Sequence, residues 1–438
     1  MTAIGQGVSA DEQASVTGFG LSRRVIVYCM NYAPEVAGVG RYTGEIAEHF
    51  ASIGMDVLVV TTPPHYPGWT VQSGFENAYS LGSEQMIKVI RCPLLLHRKM
   101  GGIWRLIAPL SFAMSSAPVI FWQILRRRPD VVFCVEPTLL AAPAAQFAAR
   151  LAGASTVLHV QDLEVDAAFA VGHLGSRTWL KKIGHAFERM TLRRFDKVIT
   201  ISSRMAEKLR QKGIQDERLE VVRNWVDLSH IYPLAERSPY RDQLGFKDDD
   251  FVTLYSGNIG AKQGLGVLLD AAERLKDEPR VHFVIAGEGP LKAELQARYA
   301  HLKNVRFLPF QPYARLNEFL NMADLHALPQ DKGAADLVLP SKLGGMLASG
   351  RPLIVTADEG TELTEFLRGT ATITPPGDVE ALAAGIEAVL AGRTHERDPV
   401  ILRELCLALA RDSGLASLAR LTIGQAQPMR RVLNEHSA

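Results

Sequence analysis

Cysteine is scarce in this chain and never paired. Cys29, Cys92, Cys134 and Cys406 stand far apart, which excludes a CxxC redox or zinc motif and offers no disulfide framework. They read as small buried hydrophobes of a reducing compartment. Net charge is nearly absent as well: 48 lysines and arginines meet 47 acids, leaving +1 at pH 7. A protein that sheathes a nucleic-acid backbone carries a clear basic excess, so no nucleic-acid partner is expected. The first 23 residues lack an apolar run flanked by basic residues. They read as a polar tail and not as a secretory leader, so export is not expected.

What is present is length and alternation. A chain of 438 residues, 47 % hydrophobic, favours two domains over one oversized core. Short β-branched runs recur, each followed by a stretch with helical spacing, the pattern of parallel βαβ units. The front series is RVIVYC from Arg24, VLVVT from Val57, VVFCV from Val131, TVLHV from Thr156, KVITI from Lys197 and LEVV from Leu219. A second series has VTLYS from Val252, VHFVIA from Val281, VRFLP from Val305, LHALP from Leu325 and PLIVT from Pro352. The fold class is therefore α/β, with two Rossmann-like, doubly wound domains. We divide the chain into a flexible tail (1–23), an N-terminal domain (24–228), a C-terminal domain (229–400), and a C-terminal helix and tail (401–438) that can pack back on the N-terminal domain.

The near-zero charge hides an asymmetry. Residues 1–228 hold 25 basic and 20 acidic side chains, whereas residues 229–438 hold 23 and 27. Between Arg91 and Arg128 there are seven cations and no Asp or Glu, which points to an anionic neighbour. The same stretch contains twenty uncharged residues, Leu106 to Leu125, just enough to cross a bilayer. Pro109, Pro118, three serines and Gln123 argue against spanning. They leave a buried helix pair or a basic-rimmed apolar surface resting on anionic lipid. Arg98, Lys99, Arg105, Arg126 and Arg127 are the candidate membrane or acceptor contacts. Arg177 to Arg194 repeats the combination, with six basic residues, one acid, and apolar residues at helical intervals.

Glycine-rich turns mark where ligands can approach the backbone. Gly38 and Gly40 follow the first strand. Gly257, Gly260 and Gly264 surround Asn258 and Lys262 after the first strand of the second series, where a lysine is placed to neutralise a diphosphate. Gly287 and Gly289 end the next strand. Pro340, Ser341 and Lys342 open a short helix outside the carboxyl ends of the strands, where open α/β sheets bind ligands. On the N-terminal side, Glu136 ends the strand that reads VVFCVE, His159 lies within an apolar strand, and Asp162 follows it with Glu164 and Asp166 close by. That triplet lacks the single-loop Asp-x-Asp of metal-dependent transferases, and no metal is expected.

Two domains carrying, in order, GVGRYTGE, HVQDLEVDAAF, NWVD, YSGNIGAKQG, GEGP and AADLVLPSKLGGMLASGRP resemble glycosyltransferase family 4, with closest likeness to its bacterial exopolysaccharide branch, similar to colanic-acid fucosyltransferases. The resemblance covers the chain from Arg24 to Pro375. It implies the GT-B arrangement: two Rossmann-like domains facing a cleft, the sugar nucleotide on the second and the acceptor on the first. The implied reaction is metal-independent transfer with retention at the anomeric carbon. The donor would be GDP-fucose or a UDP-sugar and the acceptor a lipid-linked saccharide, with no cofactor beyond the donor. The enzyme would be cytoplasmic and peripheral at the inner face of the membrane. Gly38 and Gly40 would face the donor, Asn258 and Lys262 the diphosphate, and Gly287, Ser341 and Lys342 the sugar or diphosphate. Asp162, His159 and Glu136 would bind acceptor hydroxyls or assist proton movement.

The chain also departs from the family pattern. The two glutamates usual in the last block fall on Leu337 and Gly345, leaving Asp336 as the nearest acid. The usual arginine of the first C-domain loop is Asn258, and the usual His-Asp after the fifth strand is Gln161-Asp162. A nucleotide-sugar 2-epimerase of similar fold and a non-catalytic nucleotide-binding scaffold are the alternatives.

Overall fold

Every β-branched run named above forms a strand, and parallel pairing between them builds two separate sheets. The computed structural model describes residues 23–35, 38–84, 87–97, 104–137, 139–163, 178–332, 338–393 and 398–424.

The first sheet is formed by β1 (Arg24–Tyr28), β2 (Asp56–Thr61), β3 (Ser80–Glu84), β4 (Ile87–Arg91), β5 (Val131–Glu136), β6 (Ser155–Val160), β7 (Lys197–Thr200) and β8 (Leu219–Val221). Its order is β3-β4-β2-β1-β5-β6-β7-β8, parallel throughout except for β3. The β3–β4 hairpin has no counterpart in the sequence reading. SLGSE is almost fully exposed and carries no hydrophobic alternation for a pattern to find.

Crossover connections fix which helix covers which face. From β1 the chain steps through α1 (Val39–Ser52) toward the β3 edge. It then returns through α2 (Trp104–Arg127), α3 (Ala142–Ala152), α4 (Thr178–Leu192) and α5 (Ser203–Gln211) toward the β8 edge. Right-handed crossovers in opposite directions place α1 on one face and α2 to α5 on the other. Ring contacts agree with this assignment. Phe50 of α1 meets Phe133 of β5 edge-on at 5.5 Å. Tyr28, paired with the next residue Cys134, instead faces Phe112 of α2 at 5.6 Å. Ser116 Oγ and the Tyr28 hydroxyl share a 2.5 Å hydrogen bond.

In place of the helix pair, one of the two alternatives, there is one continuous helix, since α2 runs through both Pro109 and Pro118. Its buried stripe, Ala108, Phe112, Ser116, Ile120 and Ile124, repeats every four residues. By length and composition its segment Leu106–Arg127 could cross a membrane.

The second sheet comprises β9 (Phe251–Ser256), β10 (Val281–Ala286), β11 (Val305–Leu308), β12 (Leu325–Leu328), β13 (Leu353–Thr356) and β14 (Thr372–Thr374), ordered β11-β10-β9-β12-β13-β14 and parallel. Alternate residues of β9 feed two cores. Phe251 and Tyr255 pack with α7 (Leu265–Arg274) and α12 (Val379–Leu390), whereas Val252 and Leu254 pack with α9 (Leu316–Asn321) and α10 (Leu343–Ala348). Also present are α6 (Pro239–Gln243), α8 (Lys292–Arg298), α11 (Glu362–Phe366), α13 (Pro399–Ala408) and α14 (Arg411–Gly424).

Contacts divide the chain into two compact units. Among the described residues, the first holds those from 23 to 201, Ala206–Val222 and those from 415 to 424; the second holds Ser202–Met205 and those from 223 to 414. Within the second, the NWVD segment is anchored. Val226 N donates to Leu409 O at 2.8 Å, and Arg411 grips Asp227 at 2.5 Å.

Candidate active site

The richest constellation lies at the carboxyl ends of β9 and β10. The loops that follow these strands run against each other through their backbones: Gly257 N donates to Ala286 O (2.9 Å), Ile259 N to Glu288 O (2.8 Å), and Leu291 N to Ile259 O (3.2 Å). Only glycine fits at the crossing. A Cβ on Gly287, whose φ is +146°, would stand 1.8 Å from Gly257 O. Lys292, which sequence reasoning did not single out, braces this loop. Its Nζ donates to Gly287 O at 2.9 Å, Leu308 O at 3.2 Å and Glu288 Oε1 at 2.7 Å.

Lys342 enters the same place from the start of α10. Its Nζ stands 4.0 Å from the centroid of the Tyr255 ring, a cation–π geometry. It passes so close to Gly257 that a Cβ there would lie 3.2 Å from the lysine Cδ. The Tyr255 hydroxyl donates to Asn258 O at 2.5 Å, so one ring ties the Asn258 loop to Lys342. Tyr255 is a second residue that sequence reasoning missed, because its partner is far away in the chain. Burial lowers the Lys342 ammonium from its ordinary 10.5 to about 7. Asn258, Lys262 and Ser341 are exposed. The helix start expected to cradle an anion is reduced: α10 has six residues, and Leu343 N already donates to Pro340 O at 2.9 Å. The lysine side chain is what remains. Asp336 and Leu337 lie outside the described residues.

In the first unit the Gly38–Gly40 turn rests on Glu35, another residue the sequence reading passed over. Its Oε1 accepts from His65 N and Tyr66 N, each at 2.9 Å, and its Oε2 accepts from Asn31 Nδ2 at 3.0 Å. One buried carboxyl group thus fastens the loop after β1 to the loop after β2. A Cβ on Gly40 would lie 2.4 Å from Glu35 Oε2, and Gly38 has φ +66°, so both glycines are required by shape. Replacing Glu35 with Ala strands the buried His65 N–H, at a cost of about 1–3 kcal/mol, and the half-buried Tyr66 N–H as well. Thermal unfolding of Glu35→Ala is expected to fall by several degrees; an unchanged midpoint would mean the clasp contributes nothing.

Glu136 ends β5 and pairs in register with Val160 of β6, one residue past His159. Glu136 and His159 are buried, and Asp162 is exposed. Burial depresses the His159 imidazole to about 3, so it is neutral at physiological pH. Its Nε2 lies 3.5 Å from Gln161 Nε2 and its ring 6.0 Å from Phe133, the setting of a core histidine. Asp162 Oδ1 accepts from Leu163 N at 2.8 Å. Glu164 and Asp166 lie outside the described residues. Among the described residues no group of three His, Cys, Asp or Glu side chains is arranged to hold a metal ion.

The acid-free cations do not act as one set. Arg91 is buried on Glu84 at 2.6 Å, and Arg127 grips Asp56 at 2.5 Å, so both serve the sheet. Arg126 and Arg128 are exposed. Arg98, Lys99 and the side chain of Arg105 lie outside the described residues.

Two α/β units with parallel sheets and glycine-rich strand-to-helix loops are the architecture of the GT-B fold. Sucrose-phosphate synthase from Thermosynechococcus elongatus superposes with a TM-score of 0.68 at 15 % identity, over 92 % of this chain and 99 % of that one. HepE of Anabaena, in complex with UDP and glucose, superposes at 0.65 and 17 % identity, over 91 % and 99 %. Residues 37–225 match the glycosyl transferase 4-like domain, and residues 236–401 match glycosyl transferases group 1. A protein of Escherichia coli (strain K12) named as a colanic acid biosynthesis glycosyl transferase, WcaI, is 41 % identical over 379 residues, 84 % of this chain and 92 % of that protein. The chain belongs to glycosyltransferase family 4.

Proposed function

We propose that this glycosyltransferase moves a sugar, with retention and without a metal ion, from a nucleoside diphosphate sugar to a lipid-linked saccharide in exopolysaccharide assembly. The observation that carries the reading is the convergence of Lys342, Tyr255 and the Gly257–Gly264 loop with its exposed Asn258 and Lys262. A cation held at a glycine-lined backbone crossing suits a leaving diphosphate. In the step itself the anomeric carbon–oxygen bond to the diphosphate breaks as the acceptor oxygen bonds to that carbon. The acceptor's proton passes to the leaving phosphate oxygen. The protein's part is to neutralise the diphosphate with Lys342 and Lys262 and to orient the acceptor, for which Asp162 and Glu136 are the assigned residues.

The likeness to the colanic acid protein supports exopolysaccharide as the product class. GDP-fucose is the donor implied by the motif resemblance to colanic-acid fucosyltransferases, and the UDP complex of HepE keeps UDP-sugars as the second donor class. A thermal-shift panel of nucleoside diphosphates identifies the donor base, since a bound ligand raises stability in proportion to RT ln(1 + [L]/Kd). GDP or UDP is expected to raise the unfolding midpoint without added metal, and transfer is expected to persist in excess chelator. Abolition of transfer by the chelator would overturn metal independence.

A further inference from the structure

Helices α2, α3 and α4 lie side by side on one face of the first sheet. Phe121 of α2 stacks on Phe147 of α3 at 6.1 Å, and Gln146 of α3 donates to Thr191 O of α4 at 2.9 Å. Each helix turns large apolar side chains toward solvent. On α2 the positions between the buried ones, Leu110, Met114 and Trp122, face outward; on α3, Phe147 and Leu151 do. On α4 a carboxylate and a hydroxyl share the buried side with Leu192. Glu188 and Thr191 are buried while Trp179, Ile183 and Met190 are exposed. These eight side chains are between 45 and 71 % exposed, whereas a helix on a water-facing surface puts polar residues there.

The exposed charges of these three helices have one sign. Exposed Arg126, Arg150, Lys182 and Arg189 stand among the apolar residues. The single acid within α2, α3 and α4, Glu188, is turned inward to Lys212 at 2.5 Å and His185 at 3.3 Å. An apolar surface dotted with cations and cleared of carboxylates is complementary to anionic headgroups over acyl chains. A second copy of the chain would set cations against cations. Spanning is excluded by packing, because the other stripe of α2 is fastened to Tyr28 through Phe112 and Ser116.

We propose that the outer face of α2, α3 and α4 docks flat on an anionic bilayer, with Trp122, Phe147 and Trp179 in the headgroup layer and the arginines on lipid phosphates. The inference rests on the reading of a lipid-linked acceptor and names the surface that meets that acceptor's membrane.

The test uses the full-length protein and sedimentation with vesicles of phosphatidylglycerol and phosphatidylcholine, or of phosphatidylcholine alone. The wild type is expected to pellet with the anionic vesicles, less so at high salt, and to stay in solution with the neutral ones. Arg150→Glu with Arg189→Glu should weaken binding more than about tenfold, given about fivefold per basic residue near an anionic surface. Trp122→Ser with Trp179→Ser should weaken it at low and high salt alike. Both variants are expected to keep the wild-type unfolding midpoint and nucleoside diphosphate binding, which separates docking from folding and from donor recognition. Wild-type protein left in the supernatant at low salt, or variants that pellet like wild type, would overturn the proposal. So would a dimer in sedimentation velocity that these substitutions dissolve, which would assign the face to a second copy. Vesicle binding without sugar transfer would defeat the functional reading alone, and transfer without vesicle binding would defeat the docking alone.

Discussion

Lys342→Met is expected to lower kcat/KM by about two to three orders of magnitude, the usual consequence of removing a group that stabilises charge developing in the transition state. The methionine keeps the aliphatic stem that passes Gly257 and removes only the ammonium above the Tyr255 ring. Its folding should not suffer. Burial holds the folded-state pKa near 7, below the ordinary 10.5. Between those values the unfolded chain therefore binds the proton more readily, and wild-type stability from this group rises with pH across that window. The variant lacks that dependence. Donor binding carries the opposite sign. A diphosphate beside Lys342 favours the charged amine, so binding takes up a proton above pH 7 and weakens as pH rises. Calorimetric titration of the nucleoside diphosphate at pH 8 in two buffers of different ionisation enthalpy measures that uptake. Uptake approaching one proton is expected for wild type and none from this position in Lys342→Met. Equal uptake in both would remove Lys342 from the diphosphate site.

Gly287→Ala is the second large effect. The new Cβ would fall 1.8 Å from Gly257 O, at a backbone φ of +146°, so the two loops must separate or the backbone must change region. Overpacking costs about 1–3 kcal/mol, and forcing a side chain into a left-handed region adds about 1–2 kcal/mol. The displaced group is the Gly257 carbonyl, next to Asn258 and against Lys342. Loss of donor binding should therefore exceed what the fall in stability alone produces. A Gly287→Ala protein that binds nucleoside diphosphate like wild type while unfolding several degrees lower would show that the crossing is structural only.

The legible part of the fold was the part whose rule is local. Parallel strands covered on both faces are β-branched throughout, and β1, β2 and β5 to β13 could be read as such. The exposed SLGSE strand and the three-residue edge strand β14 obey no such rule. The glycine loops were legible for the same reason, since each sits at a strand end. What makes them a site was not. Tyr255 and Lys342 meet across most of the second unit, and Glu35 acts on amides of the loop after β2. Arg127 looked like a surface cation until Asp56 of β2 came beside it. Such pairings depend on which strands become neighbours, and that is a property of the folded sheet.

Transfer of a sugar from a nucleoside diphosphate to a lipid-linked acceptor is tested most directly by mass spectrometry of lipid-linked saccharides incubated with the full-length protein and a panel of GDP- and UDP-sugars. The expected result is an acceptor one sugar heavier, with the anomeric configuration of the donor, and one nucleoside diphosphate released per transfer. A donor that changes its sugar's configuration with no acceptor present, or that binds and is never consumed across the panel, would contradict the account.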